Sequence, residues 1–253
     1  MNSAFSLLKD LFFPPHCIGC KTRLEPGMQK GERSVFCIPC AAEFEKSTLS
    51  QCPECFAPVS ECRCQQTLMK RAGSAGLLKL VPYDTGDKHR CAAGCIRGMK
   101  RVPRQRAFVY FGEQLRAPLL KTVAELQEKQ PISDTVVAYL PRARKRVRSL
   151  GFDQARELAL ALSAATGYAF SPLLRRVRDG KPQKALGERE RRENIKGCFA
   201  VCGDADGKRV ILVDDLVTTG SGMAEAIRML RRAGAAEIVC ACVGYTVKKS
   251  LKK

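Results

Sequence analysis

A chain of 253 residues with 45% hydrophobic content can bury one full α/β core and something small beside it. No run reaches the ~20 apolar residues of a spanning helix, which argues against a helical membrane protein. The balance of 44 Lys/Arg against 25 Asp/Glu, a formal +19, favours polyanionic partners.

Near the N-terminus, Phe5, Leu8, Leu11 and Phe12 share one helical face, and Pro14-Pro15 ends the pattern. A short amphipathic helix packing on the neighbouring segment is expected. The segment lacks the basic start and small-residue cleavage site of a signal peptide, so a cytoplasmic, reducing compartment is expected.

Eight cysteines follow within 48 residues: Cys17 and Cys20, Cys37 and Cys40, Cys52 and Cys55, Cys62 and Cys64. Each pair can present two thiolates from one tight turn, and two pairs complete the tetrahedral S₄ set that zinc prefers. One or two structural zinc ions are expected; the closely spaced Cys62 and Cys64 make the second set the less regular. Disulfides are the competing reading, disfavoured in a reducing compartment. His16 reads as a surface residue. Large apolar side chains are sparse between residues 16 and 65, so folding there should depend on metal.

Residues 1–65 hold seven Lys/Arg and seven Asp/Glu, so the whole positive excess lies beyond them. It is clustered: seven cations and no acid from Lys88 to Arg106, five from Arg142 to Arg148, and eight against three acids from Arg175 to Arg192. Such fields suit nucleic acid through counterion release. Aromatic residues are only 6%, with no tryptophan, and stacking platforms are correspondingly few. Alternation places Phe108 and Tyr110 on one face of a strand, as core rather than platform.

A helix is expected over Glu113 to Glu128, with Leu115, Leu119, Val123 and Leu126 inward. A strand from Asp134 runs into Pro141 and the basic loop beginning at Arg142. Leu150-Gly151-Phe152-Asp153-Gln154 then starts a helix through Thr166, with Asp153 as N-cap and Ala155, Leu158 and Leu162 inward. Cys91, Cys95, Cys198, Cys202, Cys240 and Cys242 read as small buried apolar residues.

The most informative run is Val210 to Gly222. Val210 to Val213 read as a strand buried on both faces, opening into Asp214 and Asp215 and then the small, hydroxyl-rich loop Thr218, Thr219, Gly220, Ser221 and Gly222. A helix from Met223 to Ala233 and a strand from Glu237 to Gly244 complete a crossover that implies a parallel sheet, with ligands at the carboxyl ends of the strands. Backbone N–H groups of the loop can converge on a phosphate at the helix start. The two carboxylates suit vicinal hydroxyls or a water-ligated Mg²⁺. A sugar phosphate fits both halves. An Asx turn ending a strand is the plain alternative.

This run resembles the 5-phosphoribosyl 1-diphosphate (PRPP) motif of type I phosphoribosyltransferases. With the double cysteine ribbon, the Gly151-Phe152-Asp153-Gln154 stretch, and Gln183 leading to Arg191 through Phe199, the chain resembles the ComF/GntX family over most of its length. The resemblance implies a phosphoribosyltransferase-like parallel sheet flanked by helices at residues 73–253, preceded by an N-terminal helix and double zinc ribbon at 1–65. It implies that Asp214 and Asp215 hold the ribose hydroxyls, that Thr218 to Gly222 cradle the 5-phosphate, and that Pro141-Arg142 meet the pyrophosphate, with Mg²⁺ accompanying PRPP. It further implies a role in DNA uptake and natural transformation, with single-stranded DNA and other uptake proteins as partners; some members are associated with gluconate use. Transfer from PRPP to an unidentified acceptor, with Asp214 and Asp215 catalytic, and PRPP sensing by a regulator stand as alternatives. Three departures are visible: Leu150 and Asp153 stand where the family has arginine and asparagine, and Ser221-Gly222-Met223 ends the loop with one hydroxyl fewer.

Overall fold

The computed structural model describes residues 15–24, 35–83, 91–99, 105–179 and 194–246. In chain order these hold α1 (Ile38–Thr48), α2 (Thr67–Arg71), β1 (Gly76–Pro82), α3 (Cys91–Met99), α4 (Gln105–Lys129), β2 (Thr135–Tyr139), α5 (Arg144–Leu150) and α6 (Gln154–Thr166). There follow β3 (Ala169–Phe170), β4 (Leu174–Arg176), β5 (Phe199–Val201), β6 (Arg209–Val217), α7 (Ser221–Arg232) and β7 (Glu237–Tyr245).

Five strands form one parallel sheet in the order β1-β7-β6-β2-β3, and β4 pairs with β5 as a separate antiparallel ribbon. The near-continuous apolar runs of β6 and β7 are those of strands covered on both faces. Along β6, Ile211 and Val213 join the helices α4 and α6 through Leu115, Leu119, Leu158 and Leu162. Val210 and Leu212 face the other way, to Met223, Ile227 and Leu230 of α7. Period-2 strands and period-3.6 helices thus interlock as alternation requires.

The helix over 154–166 and the inward faces of both long helices are as the periodicity indicates. Asp153 caps α6 by accepting from the Ala155 N–H at 3.1 Å, and Phe152 packs edge-on against Phe108. One expectation fails. Phe108 and Tyr110 are not on a strand; they lie in the first turns of α4, which starts at Gln105 rather than Glu113. Four residues, Phe108 to Phe111, contain three aromatics, too few positions to separate a period of 2 from one of 3.6.

The aromatics of α4 have a specific use. Phe36 and Phe44, from the cysteine-rich segment, stack at 5.0 Å and meet Tyr110 and Phe111 at 5.5 and 5.8 Å. The cysteine-rich segment therefore shares apolar contacts with the sheet's helical layer. Of the sparse large residues between 16 and 65, Phe36 and Phe44 serve that junction, whereas Ile38, Leu49 and Phe56 are exposed. The N-terminal helix expectation, Gln183, Arg191 to Glu193 and most of the Lys88–Arg106 cluster lie outside the described residues.

Arg209 is wholly buried at the amino end of β6. Its guanidinium donates to Glu237 on β7, to the Gln127 side chain and to the Gln130 carbonyl at 3.1 Å, tying both strands to the end of α4. Removing one partner of such a pair leaves an uncompensated buried charge. Arg209→Ala should destabilise by about 3–5 kcal/mol, lowering Tm by about 10 °C. Arg209→Met with Glu237→Met should recover most of that loss, as differential scanning calorimetry would show.

Candidate functional site

The site begins with a register. Tyr139 of β2 lies opposite Val213 of β6, and the Leu140 N–H continues the ladder to the Val213 carbonyl at 2.9 Å. The next residues on each chain are therefore neighbours: Pro141 and Arg142 on one side, Asp214 and Asp215 on the other. From here β2 connects outward to β3, whereas β6 connects through α7 to β7 on the opposite side. This is the topological switch point, where open α/β sheets bind ligands.

A pocket of about 290 Å³ opens there, lined among others by Pro141, Arg142, Asp214, Asp215, Thr218 and Gly222. Thr219, Gly220 and Ser221 line it as well. Every residue singled out for a sugar phosphate is thus brought to one cavity. β6 runs on through both aspartates to Val217, so the carboxylates sit inside the end of the strand rather than after it. Asp214 and Asp215 consequently point to opposite faces of the strand end, as alternation demands.

Arg142 donates to Asp215 Oδ2 at 2.7 Å, and its own backbone N–H is held by Asp153 Oδ2 at 2.9 Å. Asp153 therefore does two things, capping α6 and fixing the basic loop. Its carboxyl is pushed above the ordinary range by burial, against the opposing pull of the Arg142 N–H. Each bond uses its own carboxylate oxygen, so an asparagine here, with one acceptor oxygen, could keep only one of the two in this geometry. Among the described residues the buried Nε–H of Arg142 has no partner. An anion entering the pocket would supply one.

Asp214 borders the pocket but is densely enclosed; desolvation first, and then the charge of Asp215, raise its carboxyl well above the usual carboxylate value. It also accepts the Asp215 N–H at 2.8 Å.

The loop ends with Gly220 in the left-handed region, φ 73°, as N-cap of α7 without a side-chain cap, and the helix starts at Ser221 rather than Met223. First-turn N–H groups without a side-chain cap are what a phosphate would complete. Gly220 is also pressed from outside: a Cβ there would lie 3.1 Å from Met69 Sδ and 3.2 Å from Gln66 Cβ. Gln66 Nε2 reaches the Thr218 carbonyl at 3.4 Å. The short α2 that leaves the cysteine-rich segment thus buttresses the loop.

Two groups of four cysteines, Cys17, Cys20, Cys37 and Cys40, then Cys52, Cys55, Cys62 and Cys64, each bring their sulfurs within 4.8 Å of one another and could hold a metal ion. Four thiolates about 2.3 Å from an ion stand about 3.8 Å apart. Cys20 and Cys37 are 3.6 Å apart and Cys55 and Cys62 3.4 Å, and the thiols are free rather than paired.

The two knuckles repeat each other. Lys21 and Phe56, directly after the first pair in each group, both take positive φ, and their N–H groups bond back to the Cys17 and Cys52 carbonyls, each at 2.9 Å. The first knuckle is clamped by α3, where a Cβ on Gly94 would meet the Gly19 carbonyl at 2.2 Å. Cys20 is held down to about 6, where burial is outweighed by hydrogen bonds from Thr22, and Cys52 is lowered to about 7 by backbone N–H groups against its burial.

Lys79, buried on β1, donates from Nζ to Cys62 Sγ at 3.2 Å and to the Cys64 carbonyl at 2.6 Å, with the Tyr245 ring 5.0 Å away. It gives the second group a compensating cation.

Residues 151–253 match the family described as "Phosphoribosyl transferase domain". A DNA utilization protein YhgH of Salmonella typhi is 28% identical over 214 residues, spanning 83% of this chain and 90% of that protein. A Competence protein F of Haemophilus influenzae is 34% identical over 92 residues, 35% of this chain and 40% of its own length. In these stretches the chain is similar to ComF-type proteins. A phosphoribosylpyrophosphate synthetase from Mycobacterium smegmatis aligns over 52% of this chain and 33% of its own at 22% identity, with a TM-score of 0.31, too loosely to bear on ligands.

Some pocket residues lie beyond those assigned to a ligand from the sequence. Arg176 reaches the pocket from β4, while Asn194, Ile195 and Phe199, within the Arg191 through Phe199 stretch that carried the resemblance, reach it from β5 and the segment just before that strand. Lys79 and Asp153 gave no signal because a lone lysine in an apolar strand and an N-cap aspartate are both common in roles unrelated to ligands.

Two outcomes follow from this geometry. A carboxyl with a raised folded pKa stabilises the fold below its unfolded pKa, and that stability is lost as pH rises through the folded value. Asp214→Asn should therefore raise Tm at pH 7.5 by a few degrees, about 2–4 °C for each kcal/mol relieved, and the advantage should vanish as pH is lowered; scanning calorimetry across pH reads both. Lys79→Met should weaken the second cysteine site about 10–100-fold, so that mild chelation leaves one ion per chain where wild type keeps two, measured by elemental analysis.

Proposed function

We propose that this pocket binds Mg-PRPP and that the chain uses the bound state while handling single-stranded DNA during uptake or utilisation of incoming DNA, in the cytoplasm. One observation carries the small-ligand part: the β2-β6 register brings two carboxylates, an uncapped helix start and an arginine with an unpartnered Nε–H to one cavity. Asp214 and Asp215 would take the vicinal ribose hydroxyls, Thr218 to Gly222 the 5-phosphate, and Pro141-Arg142 the diphosphate. Mg²⁺ would neutralise the diphosphate when bound. Arg142 can keep Asp215 on Nη2 while its Nε–H meets the ligand, so the ion pair need not break on binding. Asp215 would accept from a ribose hydroxyl beside that ion pair.

The DNA part is supported by the printed names of the relatives, by the net charge of +19 and by its concentration outside the cysteine-rich segment. Zinc is the ion proposed for both cysteine groups, since four thiolates at this spacing suit its tetrahedral preference.

Isothermal titration with Mg-PRPP, followed by anisotropy of a labelled single-stranded oligonucleotide over a salt series, tests the whole reading. Wild type should bind both, DNA with a steep salt dependence, while Asp214→Ala with Asp215→Ala should lose Mg-PRPP and keep its melting temperature within a few degrees. Absence of Mg-PRPP heat with wild type removes the pocket assignment, and absence of DNA binding removes the second half.

A further inference from the structure

Beside the pocket lies a second, larger cleft of about 530 Å³. The two share Pro141, Arg142 and Arg176 on their linings and so lie side by side. Three elements supply its rim: Arg144 and Arg148 from α5, Arg156 from α6 and Arg175 from β4.

The acids within reach are already committed. Asp153 is engaged with the start of α6 and the Arg142 N–H, and Glu157 is bonded to Arg156 at 3.1 Å. Arg176 has Asp179 at 3.5 Å and lies over the Phe199 ring. That leaves Arg144, Arg148 and Arg175, all exposed, with no ion pair among the described residues. Three exposed guanidiniums around one concavity, without an acid among the described residues to pair with, favour an anion with several spaced charges.

The wall between them is not purely basic. Tyr139, Val147, Phe152 and Leu174 line it, and the Tyr139 ring is stacked on Phe170 at 6.0 Å with 12° between planes. Arg156 lies 5.9 Å from the centre of that Phe170 ring. A pyrophosphate would have no use for such a wall, whereas a nucleobase would. The volume is that of a small-molecule site, and the concavity is too small for a duplex, whose major groove alone is about 12 Å wide.

We propose that this cleft is a nucleotide-sized subsite for single-stranded nucleic acid, with phosphates on Arg144, Arg148 and Arg175 and a base against Tyr139. The strand then passes the diphosphate end of the neighbouring pocket. The assignment rests on the reading that the chain binds single-stranded DNA, and it names where.

The test compares three proteins by anisotropy with a labelled single-stranded oligonucleotide across salt, and by titration with Mg-PRPP. They are wild type, a cleft variant (Arg144→Ser, Arg148→Ser, Arg175→Ser) and a variant removing equal charge from the exposed face of α4 (Arg116→Ser, Lys121→Ser, Lys129→Ser). The cleft variant should lose at least about 10-fold in DNA affinity, and its salt slope should shrink by about 2, the value for three lost phosphate contacts on a single strand. Its Mg-PRPP affinity should be unchanged, which also shows that it folds, and the α4 variant should lose less than about threefold in DNA affinity. Equal losses in both variants would mean diffuse attraction and overturn the subsite. Loss of Mg-PRPP along with DNA would make the cleft part of the phosphoribosyl pocket and overturn it as a separate site. Failure of wild type to bind DNA would bring down the underlying reading and the cleft with it; wild-type binding with an unaffected cleft variant would bring down the cleft alone.

Discussion

The register between β2 and β6 is the constraint on which the site depends. Because Tyr139 faces Val213, an arginine three residues beyond the end of β2 meets Asp215, one of two adjacent carboxylates at the end of the neighbouring strand. A one-residue slip would turn β2's buried set outward and carry Arg142 away from Asp215. The sheet enforces the register through burial on both faces, so the packing of Val137, Ile211 and Val239 is also what holds the charged site together. The site in turn holds charge at a cost: Asp214 is enclosed beside Asp215, and one guanidinium balances the two. Hydroxyl donors or a cation would relieve that excess of carboxylate over guanidinium.

The cysteine-rich segment is more than an appendage to this sheet. Its aromatics Phe36 and Phe44 complete a cluster with α4, Lys79 of β1 serves the second cysteine group, and α2 presses Met69 and Gln66 against the phosphate-type loop. Each link is short in space and crosses from thiol chemistry to the parallel sheet. Loosening of the second group would therefore be felt at Thr218 and Gly220 through contacts that exist independently of any ligand.

Much of the site was legible in the sequence because its residues are contiguous. Asp214 through Gly222 carry their own backbone logic, a buried strand ending in carboxylates and small residues, and they need no tertiary partner to be noticed. The paired cysteines were legible for the same reason: spacing within each pair fixes a chelating turn. What stayed hidden comes from elsewhere in the chain. Arg176 and Phe199 reach the pocket on a two-stranded ribbon whose strands are three residues each, too short for any periodicity to show. Phe108 and Tyr110 were mistaken for strand residues because four positions hold no usable period.

The sequence by itself determined the alternation of strands and helices, the inward faces of α4 and α6, the two cysteine groups and the loop after β6, since all of these follow from local periodicity, turn chemistry and ligand spacing. It could count arginines but not gather them. Only the tertiary structure decided that Arg144, Arg148, Arg156 and Arg175 surround one cleft, that Lys79 points at a thiol, and that Arg142 closes on Asp215. The reason is physical: the order of strands in a sheet and the register between them are set by burial of whole faces, a property of the assembled core that no stretch of residues carries alone.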